Sequence, residues 1–453
     1  MLKKVCIILC FLTVQKCLMA GNLAELIQMT IERNLELKIS ALEIEQSLID
    51  EKTAHNALVP DLYLSGARTF NSYYDNHQKG LNLTKDTWTF SLRLSQSYPG
   101  LGKIPAIAKE IAQMKTDIKK VYNENKKITL VGKLTKIFFQ LLRDQELIKI
   151  HEMDLKLIQE LLKIAKLNED VGLVLHNDIL RIEVEQHNTN SALTKIKSSF
   201  EDLKYDLAAI LDVKNPQEIK IQLPQSLKFK SSLYTSEKLL DDLFKYDYSI
   251  NLARSDLKIL NKIVSSSSKA TLPTLNINST YKYGNKYGSD RGGKDNKDLV
   301  TTFELVTPVY DGNDIKNMIR KAEKSKEIGE LTLKNLSNNK KSELEKATND
   351  YKDATLRIEL AEKMVEQSHE NMRIVLTRYQ AGAASIVELI DAQRLLTDSL
   401  QLAVNAYYDE RAKLSEIFLL THMFEDLKTM DQNSSYFNID LLKNTLIIPG
   451  DNQ

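Results

Sequence analysis

The sequence predicts a mainly α-helical protein built from two similar halves, each of which contains one β-hairpin. Two pairs of landmarks show the duplication, because Pro60 and Pro273 lie in similar segments and so do Gly172 and Gly382. The offset is 213 residues between the prolines and 210 between the glycines. Solenoid repeats have periods of only roughly 20–50 residues, so this spacing indicates a duplicated half. Each half is predicted to run helix, β-hairpin, very long helix, glycine turn, helix.

The N-terminal residues 1–20 have the pattern of a secretory signal peptide. Lys3 and Lys4 precede a short apolar run that ends at Val14, and about ten apolar residues are too few for a bilayer that needs ~20. Cleavage after Ala20 would leave an exported chain without thiol or disulfide chemistry. The reason is that all three cysteines lie in this segment, at Cys6, Cys10 and Cys17.

The predicted boundaries follow from the change in pattern along the chain. Residues 213–232 contain two prolines and interrupt the helical periodicity, so we interpret them as a linker. The first repeat then covers residues 21–212 and the second covers residues 233–421. The remaining residues, 422–453, form an irregular C-terminal tail.

In each repeat, apolar and polar residues alternate along two short stretches, as they do in half-buried strands. This predicts β-hairpins over 61–95 and 274–309, with polar loops at 71–85 and 284–297. Isolated two-stranded ribbons are marginal in water, so the hairpins are expected to pair with each other or with another chain. The apolar positions are Leu62, Leu64, Trp88, Phe90, Leu92, Leu94, Leu275, Ile277, Leu299, Phe303 and Leu305.

Helices are predicted before and after each hairpin. The first covers 22–57 and ends before a proline. Helices of unusual length, with no proline after Pro105 in the first, cover about 105–170 and 314–379, and shorter helices return over 174–212 and 384–421. Their apolar residues recur every three or four positions, which is the pattern of a coiled coil.

Composition and motifs exclude several functional classes. The chain has 62 basic and 61 acidic residues, a net charge of +1, and so lacks the basic footprint of a nucleic-acid-binding protein. Its seven histidines are scattered without metal-ligand spacing, and no catalytic constellation is present. We therefore expect neither an enzyme nor a cofactor.

The segment from Arg378 to Gln393, Arg-Tyr-Gln-Ala-Gly-Ala-Ala-Ser-Ile-Val-Glu-Leu-Ile-Asp-Ala-Gln, together with the duplicated halves and paired hairpins, resembles the TolC family of outer-membrane efflux proteins. The resemblance extends over nearly all of residues 22–421. It implies a homotrimer in which each chain gives four strands to a transmembrane β-barrel and its helices to a periplasmic α-barrel. A closed barrel satisfies the sheet edges that lipid would otherwise leave unpaired.

The resemblance also implies a location and a function. The expected protein lies in the outer membrane of a Gram-negative bacterium and extends into the periplasm. It is expected to be the passive channel of a tripartite efflux pump or type I secretion system. Its expected partners are outer-membrane lipid, a periplasmic adaptor protein and an inner-membrane transporter.

Site residues are carried over on the same basis. Glu388 and Asp391 match acidic positions that line the aperture, where three copies would form a ring that favours cations. Asp178 and Tyr379 match positions that hold the mouth shut, and Arg181 is predicted to contribute an ion pair because Ala384 replaces the usual basic partner. The predicted adaptor-docking turns are Val171, Gly172 and Leu173, and Ala381, Gly382 and Ala383.

In such a barrel Trp88, Phe90, Leu92 and Leu94 would face lipid or neighbouring strands, and Thr89, Ser91 and Arg93 would face the lumen. Arg68 interrupts the apolar face of the first strand. Two alternatives remain open at this stage. One is a periplasmic coiled-coil adaptor, which would normally have a single helical hairpin. The other is a structural or adhesin fibre, which needs no lipid-facing alternation.

Overall fold

The computed structural model describes residues 23–74, 82–170, 174–216, 236–285 and 295–423. Several predicted features lie outside the described residues. They are the signal peptide at 1–20, the docking turn Val171, Gly172 and Leu173, most of the linker at 213–232 and most of the tail at 422–453.

The described elements occur in the same order twice. The first series is α1 Leu23–Arg33, α2 Leu35–Asn56, β1 Asp61–Tyr74, β2 Asn82–Tyr98, α3 Lys103–Asp170 and α4 His176–Leu211. The second is α5 Ser236–Tyr246, α6 Tyr248–Lys269, β3 Thr274–Asn285, β4 Asp295–Val306, α7 Asp314–Gln380 and α8 Ile386–Leu420. The long helices α3 and α7 have 68 and 67 residues, and the returning helices α4 and α8 have 36 and 35. The mainly helical fold with one hairpin in each half is confirmed.

The helix predicted over 22–57 is divided at Asn34, so a single helix there was wrong. Asn34 Oδ1 accepts a hydrogen bond from the Glu36 N–H at 2.9 Å, which caps the start of α2. Asn34 Nδ2 donates to the Ile210 carbonyl at 2.9 Å and so ties the break to α4. Hydrophobic periodicity does not register such a cap, because the apolar face continues across it.

The described residues divide into two compact units, and each unit contains parts of both repeats. The helical unit comprises described residues within 1–38, 124–247 and 338–453. The sheet unit comprises those within 39–123 and 248–337. The two hairpins thus belong to the same unit, although they are far apart in sequence.

In the sheet unit, the four strands form one antiparallel sheet in the order β1-β2-β3-β4. Leu64 lies opposite Leu92, Leu92 opposite Tyr281, and Tyr281 opposite Leu299. Because directly paired residues project to the same face, the predicted alternation runs across all four strands. The opposite face is polar and hydrogen-bonded, for example from Ser97 Oγ to Asn276 Oδ1 at 2.8 Å.

In the helical unit, α3, α7 and α8 share one apolar core. Phe138 and Phe139 are fully buried at its centre, with ring centroids 5.6 Å apart. Fully burying each such side chain stabilises the fold by about 1.5–3 kcal/mol. The α8 stripe that faces this core contains the buried residues Leu389, Leu396, Leu400, Ala403, Leu414 and Ile417.

Candidate functional site

The turn between α7 and α8 is built around Gly382. Its φ of +69° is left-handed, and its N–H donates to the Tyr379 carbonyl at 3.0 Å. The next N–H, from Ala383, donates to the Arg378 carbonyl at 2.8 Å, which completes a Schellman motif. An added Cβ at Gly382 would meet no atom within 4 Å, so the requirement for glycine is conformational. Ala381, Gly382 and Ala383 are all exposed.

The start of α8 is fixed by a capping box. Ser385 Oγ accepts a hydrogen bond from the Glu388 N–H at 3.2 Å, and the Ser385 N–H donates to Glu388 Oε1 at 3.3 Å. Arg378 Nη1 also lies 3.4 Å from Glu388 Oε2. The first predicted ring carboxylate is therefore held in place by its own helix start and by one guanidinium.

The start of α4 is different. Its N-cap residue, Leu175, has extended backbone angles but makes no side-chain cap hydrogen bond. Asp178 lies in the first turn and is half-buried. Among the residues that the structure describes, its carboxylate has no hydrogen-bond or ion-pair partner. The partial positive charge of the helix N-terminus stabilises its negative charge.

Arg181 and Asp391 meet between α4 and α8. Arg181 Nη2 lies 3.5 Å from Asp391 Oδ1, and Arg394 Nη2 lies 3.4 Å from the same oxygen. The sequence predicted an ion pair for Arg181 without naming its partner, and in the structure that partner is Asp391. The structure also places a second guanidinium on the carboxylate.

The Tyr379 hydroxyl hydrogen-bonds with Asn168. The side chain packs against the apolar core, and burial raises the pKa of its hydroxyl, whereas the hydrogen bond with Asn168 acts in the opposite direction. Within the described part of one chain, the structure does not join Tyr379 to Asp178. The gate contacts of these two residues therefore stay predictions.

A small apolar cluster holds these helix ends together. It joins α3, α4 and α8, and Tyr379 of α7 packs against it. The cluster positions the charged residues because each of them lies within a few residues of a buried member. Its members are Ile158, Ala165, Ile179, Ile182, Ile386 and Ile390.

A buried polar cluster lies further along the same helices. Asp154 of α3 accepts a hydrogen bond from Gln393 Nε2 of α8 at 2.8 Å and one from Thr189 Oγ1 of α4 at 3.3 Å. All three residues are buried. Burial raises the pKa of the Asp154 carboxyl, and these hydrogen bonds oppose the rise. Nearby, burial lowers the pKa of His151.

Neither a metal centre nor a helical membrane span is visible in residues 23–74, 82–170, 174–216, 236–285 and 295–423. No group of three or more His, Cys, Asp or Glu residues there could hold a metal ion. No described helix combines the length and the hydropathy that crossing a membrane requires.

Residues 239–420 match the family model described as outer membrane efflux protein. The chain is 20% identical over 427 residues to the outer membrane protein TolC of Vibrio cholerae, an alignment that covers 93% of this chain and 95% of that one. The chain is thus similar to TolC-family outer-membrane efflux proteins over most of its length. It is also 21% identical to Escherichia coli TolC over 416 residues, which covers 86% of this chain and 80% of that one.

The solved structures agree on the fold. This chain is similar to the outer membrane protein VceC of Vibrio cholerae, with a TM-score of 0.75. The two are 16% identical, and the alignment covers 88% of this chain and 96% of VceC. The two-hairpin, long-helix architecture is therefore that of TolC-family channels.

Sequence reasoning missed several residues of the candidate site. Arg378 and Arg394 form ion pairs with the predicted ring carboxylates, and Asn168 hydrogen-bonds with the Tyr379 hydroxyl. No sequence signal identified these partners. Gln393 did leave a signal, because it is a polar residue on the otherwise apolar stripe of α8, and a polar residue there requires a buried partner. That partner is Asp154.

Proposed function

We propose that this chain is the outer-membrane channel of a tripartite efflux pump or type I secretion system, a passive duct across the outer membrane and periplasm. The observation that carries the proposal is the sheet, whose one face is mainly apolar across all four strands in register, with Ser279 and Thr301 hydrogen-bonded to each other within it. Apolar side chains such as Leu64 and Phe303 are 79% and 70% exposed there. A lipid-facing wall requires such a face.

The open edges of this sheet support the proposed homotrimer. Among the described strands, β1 and β4 each have a neighbour on one side only. Lipid does not tolerate unpaired backbone groups, so both edges must continue into neighbouring chains until the barrel closes. Exposed apolar residues one helical turn apart on α7, Leu356 and Leu360, fit burial against a second copy in the helical region.

The glycine turn that follows α7 supports the proposed partners. The exposed turn of Ala381, Gly382 and Ala383 offers a small, uncharged surface that a periplasmic adaptor can contact closely. Val171, Gly172 and Leu173 are proposed as the corresponding turn of the first repeat. The adaptor in turn connects the duct to an inner-membrane transporter, which supplies the driving force.

Glu388 and Asp391 are proposed to line the aperture as an acidic ring. Three arginines lie beside them, which weakens the ring's charge. Arg378 faces Glu388, and both Arg181 and Arg394 face Asp391. The electrostatic potential of the ring therefore depends on the balance of these charges. Removing an arginine should raise its preference for cations, and removing a carboxylate should lower it.

Membrane fractionation tests the channel proposal. The full chain should be recovered in the outer membrane as a heat-modifiable trimer, whereas a soluble periplasmic monomer would contradict the proposal. Leu92→Arg should reduce trimer recovery, because an arginine on the lipid face costs about 2–4 kcal/mol at the midplane. Ser91→Arg, one residue away on the polar face, is the matched control and should assemble normally.

Planar bilayers test the ring. The double variant Glu388→Gln, Asp391→Asn should have a lower cation-to-anion permeability ratio than the unmodified trimer, and Arg181→Gln should have a higher one. Glu330→Gln, an exposed carboxylate far along α7, serves as the control. An unchanged ratio in the double variant would remove the ring from the proposal.

A further inference from the structure

A row of cationic and aromatic side chains crosses all four strands on the apolar face. Arg68 of β1 lies directly opposite Trp88 of β2. The Trp88 and Tyr283 rings pack edge to face with centroids 5.3 Å apart, and Tyr283 of β3 lies directly opposite Lys297 of β4. Two aromatic residues therefore occupy the middle of the row and one cation occupies each end.

Both cations lie against aromatic rings. The Arg68 guanidinium is 4.9 Å from the centroid of the Phe70 ring, and the Lys297 ammonium is 5.9 Å from that of Tyr283. Such contacts favour a cation at the boundary between apolar and aqueous surroundings. They also orient the charge, because a side chain lying along a ring loses less conformational freedom when it binds an anion.

The row lies at the loop side of the apolar band. From Lys297 to Leu305, and from Tyr283 to Leu275, the band continues for eight residues, or ~26 Å along a strand. With a strand tilt of roughly 35–45°, this corresponds to about 20 Å, close to the lipid-facing band of an outer-membrane barrel. Trp and Tyr are enriched at this membrane-water boundary, and Arg and Lys extend their charges toward it.

We propose that this row binds phosphate groups of lipids in the outer leaflet, with Arg68 and Lys297 as the cationic ligands. The proposal rests on the proposed channel function, which places the hairpin loops outside the cell. A lipid rather than a free phosphate fits because the apolar band continues directly from the cations, so that acyl chains can pack on it. Arg68, which interrupts the apolar pattern in the sequence, then has a role.

The test compares two double variants of the full-length trimer. Arg68→Gln, Lys297→Gln removes the cations of the row. Arg93→Gln, Lys282→Gln removes an arginine and a lysine from β2 and β3 on the polar face, and so changes net charge equally. The probes are bisphosphorylated lipid A, its dephosphorylated form and inorganic phosphate, and their binding to each trimer is measured in detergent by titration.

The unmodified trimer should bind the phosphorylated lipid more tightly than the dephosphorylated one. The Arg68→Gln, Lys297→Gln variant should bind the phosphorylated lipid about thirtyfold more weakly, since each cation near an anionic lipid surface contributes roughly fivefold. The polar-face variant should stay within about twofold. Arg68→Lys, Lys297→Arg should retain binding, and inorganic phosphate should not compete at roughly millimolar concentrations, as expected for a bare anion without acyl-chain contacts.

Equal affinity in the two double variants would overturn the inference. This is the result expected if acids of the chain itself satisfy the cations, because the register places Asp86 opposite Phe70 and Asp295 opposite Asn285. Competition by inorganic phosphate would overturn the choice of a lipid. A trimer that inserts into the outer membrane but ignores lipid phosphate leaves the channel function intact, whereas failure of the unmodified chain to insert contradicts the channel function.

Discussion

The starts of α4 and α8 occupy corresponding positions in the two repeats, yet they are built differently. Ser385 caps α8 and forms a capping box with Glu388. At the same offset of 210 residues, Leu175 precedes α4 and makes no side-chain cap. The acid in the first turn is therefore part of the cap in one repeat. In the other repeat, Asp178 has no hydrogen-bond or ion-pair partner among the described residues.

A second pair of corresponding positions has diverged in charge. Arg181 in α4 and Asp391 in α8 are also 210 residues apart, and they form an ion pair with each other. The two repeats thus share their order of helices and strands but differ in the side chains at corresponding positions. One ancestral position now supplies both members of a contact between the repeats, which a chain with identical halves could not form.

The largest effect is expected at the buried contact between the repeats. Asp154→Ala should lower the free energy of unfolding by about 1–3 kcal/mol relative to Asp154→Asn, because the buried Gln393 amide loses its hydrogen bond to Asp154 and keeps only the one to Thr397 Oγ1 at 3.3 Å. Denaturant titration of the trimer in detergent, at equal protein concentration, measures the difference. Equal stability of the two variants would show that the cluster does not join the repeats.

The same site should give a defined pH dependence. Burial raises the pKa of Asp154 above 3.8, so the folded state holds this proton more tightly than the unfolded state does. The stabilisation from this group is fully present below pH 3.8 and is lost as the pH rises through the raised pKa. The unmodified chain should therefore lose stability relative to Asp154→Asn over that interval. Both chains retain His151, whose own titration largely cancels in the difference.

The next effect tests the two caps directly. Ser385→Ala should lower the free energy of unfolding by about 1 kcal/mol, because the helix start loses its side-chain acceptor. Leu175→Ala, at the corresponding position, is the matched control and should change the value by less than about 0.5 kcal/mol. Equal losses at the two positions would mean that the capping box does not distinguish the repeats.

The reverse substitution should make the two starts more alike. Leu175→Ser supplies the missing acceptor to α4, and its backbone is already extended as an N-cap requires. We expect a gain of a few tenths to about 1 kcal/mol in the free energy of unfolding. A loss of stability would show that the exposed Leu175 side chain is needed for assembly.

The smallest effect is expected from the ion pair. Arg181 and Asp391 are about half exposed, so a double-mutant cycle with Arg181→Gln and Asp391→Asn should give a coupling of about 0.2–1 kcal/mol. The coupling should fall further in ~1 M salt, where the Debye length is roughly 3 Å. A salt-independent coupling would contradict a solvent-screened pair.

The sequence predicted those parts of the molecule that depend on residues with special backbone conformations or on hydrophobic periodicity. Glycines, prolines and period-two alternation located the turn at Gly382 and all four strands. Periodicity, however, identifies a buried face without identifying what it meets. The pairing of Asp154 with Gln393, 239 residues away, depends on how three helices pack. The break at Asn34 likewise depends on a local cap within a continuous apolar face.

The open edges of β1 and β4 have a consequence for biogenesis. A single chain inserted in lipid would expose two rows of backbone donors and acceptors, and each unsatisfied group costs several kcal/mol in hydrocarbon. In the proposed barrel, insertion would therefore be favourable only for the complete ring of chains. A lone subunit would then not insert stably into the bilayer. The rate of channel production should therefore rise more steeply than linearly with the concentration of exported chains.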